Sequence, residues 1–336
     1  METHPFINKL NIKLDKELST ILDKVSTRDY ITCFDCEFQS YLINNNHLIG
    51  ENIIINNKLN SIKSFVLEMG GILFKKNNNT WYLVGSFLFN CPVLIEEDEQ
   101  MFNFENIRIL IPDYINTDDK SMSKIKRYFN NIVSNIDNNG FKMIMNNSRS
   151  DPKYRLFGSL FKNKNIFKRN VNNYDLFDDH VKIIKKYIKS TRQRTQSLVS
   201  SCEFFGLMLN KTTVVVKGNR DIDAINNMLY LSKIYYNKII RFSYIAKVDI
   251  ETFNNIFRNY TGSAVLEKNY NSIIKSKDKT SLKMKKILLK VDKMKKAHNP
   301  LVDALFTMIV LVYIYKFFKI KNLKGGSRFY KINYLK

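Results

Sequence analysis

The chain predicts an α/β fold: a mixed sheet in which an antiparallel three-strand meander continues into parallel strands, flanked by helices. Three observations lead there. Ile31–Ile43, Ser64–Lys75 and Trp81–Phe89 are strand-patterned runs in close succession, as a meander requires. Thr212–Val216 is a short β-branched run that ends in a glycine turn opening a helix, the look of a buried parallel strand. Asn299 and Pro300 are a helix cap and a first helical residue ahead of a long apolar run.

Composition bounds the rest. The length of 336 residues suits one large domain with an insertion, or two modest ones, and 44% hydrophobic with 13% aromatic residues supports a core. The balance of 54 Lys+Arg against 31 Asp+Glu gives +23, a field that draws in polyanions, nucleic acid first. Part of that charge follows from a Lys-, Asn- and Ile-rich composition of the kind an AT-rich genome imposes. The four cysteines make no disulfide framework at this length, so an intracellular, reducing compartment is expected. Cys33 and Cys36 lack a second ligand pair and point to opposite strand faces, so they read as small core residues rather than half a zinc site. The polar start carries no signal-peptide pattern. Ala304–Tyr315 is too short to span a bilayer comfortably, follows Asp303, and is expected as a buried helix, leaving no membrane partner.

In chain order, residues 1–29 form an expected N-terminal arm with an amphipathic helix over Leu10–Val25, its apolar positions including Leu10, Ile12, Leu14, Leu18, Ile21 and Leu22. Residues 30–112 carry the meander: the Ile31–Ile43 strand, an Asn-rich loop at Asn44–Asn60, the Ser64–Lys75 strand, a turn at Lys76–Asn79, the Trp81–Phe89 strand, and a short strand or helix entry at Asn106–Pro112. Residues 113–176 read as an insertion with little structure. Residues 177–320 resume with a long helix over Phe177–Leu209, the Thr212–Val216 strand with Ile222, Ile225 and Leu229 facing inward on the helix after it, a strand at Ile239–Ile245, the basic stretch Lys275–Lys296, and a helix from Pro300 to about Ile320. Residues 321–336 are a basic tail.

The chemistry concentrates on the first strand. Alternation puts Ile31, Cys33, Asp35, Glu37 and Gln39 on one face, so Asp35 and Glu37 stand side by side. Like charges that close in a partly dry place require a proton or a cation between them, and a divalent metal suits oxygen ligands. Asp221 sits just past the carboxyl end of Thr212–Val216, where open sheets place ligands. His298 lies just before the last helix and Asp303 one turn inside it, so both can lean to one side. His4, His47 and His180 have no such setting.

Phe34-Asp-Cys-Glu37, Glu68-Met-Gly70, Gly218-Asn-Arg-Asp221 and His298-Asn-Pro-Leu-Val-Asp-Ala304, in that order, resemble the DEDDh 3′–5′ exonucleases of the ribonuclease H-like superfamily. The last motif is the most specific. The resemblance covers about Tyr30–Phe89 and Thr212–Phe318, with a large insertion between Glu37 and Asp221; Asp223 is the alternate to Asp221 in the second motif. It implies a ribonuclease H-like mixed sheet and two Mg2+ or Mn2+ ions held by Asp35, Glu37, Asp221 and Asp303. One ion would activate water and the other would stabilise the leaving 3′ oxygen, with His298 accepting the proton of the attacking water. The expected reaction removes nucleoside 5′-monophosphates from single-stranded 3′ ends of DNA or RNA. Two other readings remain on the same fold: a catalytically inactive nucleic-acid-binding protein, and an interaction module of a replication or RNA-processing assembly.

Overall fold

A computed structural model describes residues 1–26, 28–42, 47–55, 58–91, 94–96, 107–109, 197–237, 240, 245–253, 263, 265–294 and 299–317. The strands are β1 (Asn8–Lys13), β2 (Tyr30–Leu42), β3 (Gly50–Ile55), β4 (Lys58–Asn77), β5 (Thr80–Asn90), β6 (Leu94–Glu96), β7 (Ile107–Ile109), β8 (Thr213–Val216) and β9 (Lys247–Asp249). The helices are α1 (Lys16–Val25), α2 (Leu198–Lys211), α3 (Arg220–Tyr236), α4 (Leu266–Lys275), α5 (Lys279–Leu288) and α6 (Pro300–Phe317).

Seven strands form one mixed sheet in the order β1-β5-β4-β2-β8-β9, with β3 paired to β4 beside that path. The meander is antiparallel at β2–β4 and β4–β5, and β8 and β9 continue it in parallel. Asn78 and Asn79 take the left-handed conformation in the two-residue link between β4 and β5, as a tight hairpin with right-twisted strands requires. β6 and β7 form a separate antiparallel pair.

The sheet's faces carry two cores. Ile31, Cys33, Ile72 and Val215 pack with α1, α4, α5 and α6 on one side. Phe34, Cys36, Val214 and Val216 pack with α2 and α3 on the other. All four cysteines are free and buried, Cys33 and Cys36 in opposite cores as their alternation requires. Among the described residues no helix is long and apolar enough to cross a membrane.

Several boundaries differ from the sequence reading. The expected helix over Leu10–Val25 is divided: Leu10 and Ile12 lie in β1, which joins the sheet against β5. The helix starts only after Asp15, whose carboxylate accepts the Leu18 amide at 2.9 Å and so fixes the N-terminus there. The N-terminal segment is therefore an edge of the sheet and a layer of the core, not an arm. The Asn-rich stretch 44–60 contains β3, and β4 begins at Lys58, six residues before the expected strand. The expected strand at Ile239–Ile245 falls largely outside the described residues, and the parallel strand on the far side of β8 from β2 is β9, further on. The insertion at 113–176, the first part of the expected Phe177–Leu209 helix and the tail at 321–336 also lie outside the described residues.

Candidate metal centre

β2 is the central support. Its Asp35 pairs with Gly70 and its Glu37 with Glu68 across the β2–β4 ladder. Cross-strand partners share a face, so Glu68 is a further carboxylate beside Glu37. The ladder shifts register directly after Glu37. A bulge of this kind re-aims side chains next to a site, and the Leu67 carbonyl within it accepts the Cys91 amide at 2.8 Å.

The opposite face supplies Asp221. Gly218 turns the chain at φ 94° after β8, a conformation that glycine adopts without strain. Its amide donates to the Asp249 carboxylate at 2.7 Å, tying the turn to the end of β9. α3 then starts at Arg220, and Asp221 in its first turn is buried, its carboxylate accepting the Cys36 amide at 3.1 Å. Asp223, the alternate, is only half-buried, and the charge of Asp221 reaches Asp35.

Asp303 arrives on α6. Asn299 caps that helix, its side-chain oxygen accepting the Leu301 amide at 3.0 Å and the Val302 amide at 3.4 Å. The helix start lies directly over Gly70: a Cβ placed there would sit 2.6 Å from the Leu301 Cα and 2.7 Å from the Pro300 carbonyl carbon. The Cys33 thiol donates to the Ala304 carbonyl at 3.2 Å. Because Gly70 is the ladder partner of Asp35, this docking brings the first turn of α6, with Asp303, to Asp35.

The electrostatics follow. Withdrawal from water, then the charges of Asp221, Asp303 and Glu37, hold the Asp35 carboxyl well above the usual carboxylate range, with Lys217 opposing them. Burial raises Asp221 to about 8, and Glu37 and Asp249 add to this, while the Cys36 amide and Arg220 oppose it. Lys217 is lowered by its own burial and held up by Glu251, Asp35, Asp303 and Asp221. The β2–β8 register aligns Cys33 with Val215, so Lys217, two residues on, falls level with Asp35. The sequence reading missed this cation, because its level with Asp35 follows only from the β2–β8 register.

The charges of Glu37, Asp221 and Asp303 thus reach Asp35, and that of Glu37 reaches Asp221. His298 lies outside the described residues. Among the described residues, no group of three or more His, Cys, Asp or Glu side chains is arranged to hold an ion as the side chains stand. The donor set itself, four carboxylates of which Asp35 and Asp221 are raised by burial and neighbouring charge, has the chemistry of a hard divalent cation site. No protein-family model, no curated protein and no solved structure matches this chain.

Proposed function

We propose that this chain is a metal-dependent 3′–5′ exonuclease with a ribonuclease H-like fold, hydrolysing phosphodiester bonds of DNA or RNA to release nucleoside 5′-monophosphates. The observation that carries this reading is the raised carboxyl of Asp35, repelled by Glu37, Asp221 and Asp303, which come from three separate parts of the chain. Such a gathering works against the ion-free protein and is compensated once divalent charge enters. The antiparallel β5-β4-β2 meander running into parallel β8 and β9 is the arrangement that the exonuclease resemblance implies, with the acids at β2, after β8 and at the last helix.

Asp35, Glu37, Asp221 and Asp303 would hold two Mg2+ or Mn2+ ions, and such ions, when bound, lower the pKa of water and stabilise charge on the leaving oxygen. The protein's own groups do the rest. The Cys36 amide fixes the direction of Asp221, and the seat of α6 on Gly70 fixes Asp303. Lys217 places an ammonium beside the acids, where a phosphate oxygen would be stabilised. His298 takes the proton of the attacking water on a ring nitrogen. The basic surface holds the strand through its phosphates, with salt-sensitive affinity.

The test is a 5′-labelled single strand, as matched RNA and DNA, incubated with the full chain and Mn2+. Stepwise shortening from the 3′ end, abolished by Asp35→Ala, is expected. Undiminished shortening in excess chelator would reject the reading.

A further inference from the structure

α5 presents an unusual face. Lys279, Lys283 and Lys286 recur at intervals of four and three residues on α5, Lys290 follows in the turn just past its end, and all are exposed, as is Lys293 beyond them. That spacing lines the three helical lysines along one side of α5, each about 4.5–6 Å from the next along the axis at 1.5 Å per residue. Only Lys283 is occupied, lying 3.1 Å from both Asp15 and Glu17. Among the described residues, Lys279, Lys286, Lys290 and Lys293 pair with no carboxylate. The acid at the start of α5, Asp278, is turned inward and accepts from Lys316 at 2.8 Å.

The stripe also has a direction. Asp278 at the start of α5 meets Lys316 near the end of α6. Past the other end of α5, Met294 lies against the Tyr270 hydroxyl, and the Tyr270 ring stacks on Phe306 at 4.0 Å. Phe306 is one turn along α6 from Asp303. The two helices therefore run in opposite directions, and the lysines climb from the far end of α6 toward its start, where the carboxylates gather.

We infer that this α5 face binds the phosphate backbone of a single-stranded nucleic acid and leads its 3′ end toward the carboxylate cluster. The inference deepens the exonuclease reading and rests on it for direction, but binding at the face does not depend on catalysis. Charge complementarity selects the occupant: a polyanion with repeated charges matches a row of exposed ammonium groups of which, among the described residues, only Lys283 is met by carboxylates. An anionic bilayer fits less well. The only large apolar side chains standing out from α5 among the described residues are Leu282 and Leu289, while Met284 and Leu288 are buried in the protein's own core, leaving little apolar area to insert.

The experiment measures fluorescence anisotropy of a labelled single strand of about twenty nucleotides with the full chain in chelator, across a salt series. With single strands each lost phosphate contact removes about 0.7 from the slope of log affinity against log salt. Lys286→Ala/Lys290→Ala should therefore flatten the slope by about 1.4 and weaken binding about 25-fold at 0.1 M salt. Lys9→Ala/Lys13→Ala, at exposed lysines of β1, should leave the slope unchanged. Equal slopes in wild type and the α5 variant, or equal losses from both pairs, would overturn the inference. So would loss of phosphatidylserine-vesicle binding in the α5 variant without loss of strand binding. Trimming of a trinucleotide with Mn2+, too short to reach along α5, should be the same in wild type and variant. A wild type that trims nothing while the slopes still differ would refute the nuclease and leave the binding face standing.

Discussion

Gly70 has no side chain because the backbone of Leu301 occupies that place, its Cα 2.6 Å from where a Cβ would be. Gly70 pairs with Asp35 across the sheet, and Leu301 lies two residues before Asp303. One close approach between a strand and a helix start thus sets the distance between two of the acids.

Gly70→Ala should push the start of α6 off the sheet. Overpacking of this kind costs about 1–3 kcal/mol, to be read as a lowered urea midpoint. Displacing Asp303 by about 1 Å should lower turnover about 100-fold, more than the stability loss alone explains, because most of the protein stays folded. Unchanged turnover would detach Asp303 from the site.

The raised carboxyls make stability depend on pH in a defined direction. Folded Asp35 and Asp221 hold protons that the unfolded chain has already released, since unfolded Asp titrates near about 3.9. The ion-free protein should therefore lose stability as pH rises from about 4 through the folded value of Asp221, about 8. Thermal melts in chelator should show Tm falling over that range and Mn2+ restoring it. Asp35→Asn should flatten the curve and raise Tm in chelator at neutral pH. A Tm that climbs with pH in chelator would mean that the acids are not mutually repelled.

Lys217 opposes the negative charge at Asp35. Its removal in Lys217→Met should raise the Asp35 carboxyl further and carry the fall in Tm to higher pH. The same variant should slow strand shortening by 10-fold or more, on the order of one lost electrostatic donor. If the curve does not move, Lys217 points away from the cluster.

Arg28 should matter for stability and not for chemistry. Its guanidinium donates to the carbonyls of Leu209, Asn210 and Thr212 at 3.2, 3.0 and 2.8 Å, closing the end of α2 and leading the chain into β8. Arg28→Ala should cost about 1–3 kcal/mol in a urea titration through carbonyls left unpaired, with turnover per folded molecule unchanged.

The sheet and its acids were legible in the sequence because they rest on local signals. Alternation marked β2 and put Asp35 and Glu37 on one face; Asn299 and Pro300 marked the start of α6; the glycine turn placed Asp221 after β8. Other features depended on distant partners. Leu10 and Ile12 are compatible with a helix, and only the open edge of β5 draws them into β1. The role of Gly70 needs both β4 and α6, some 230 residues apart in sequence, and no periodicity announces it. Lys217 stands level with Asp35 only through the pairing of β2 with β8, which no local pattern announces.

The most direct measurement is a calorimetric titration of Mn2+ into the wild type and Asp303→Asn at neutral pH, in buffers of different ionisation enthalpy. Wild type should bind Mn2+ with release of protons, because the raised carboxyls must ionise to become ligands, and Asp303→Asn should bind more weakly and release fewer. Absence of Mn2+ binding by the wild type, or identical binding by Asp303→Asn, would contradict the claim that these distant acids gather around cations.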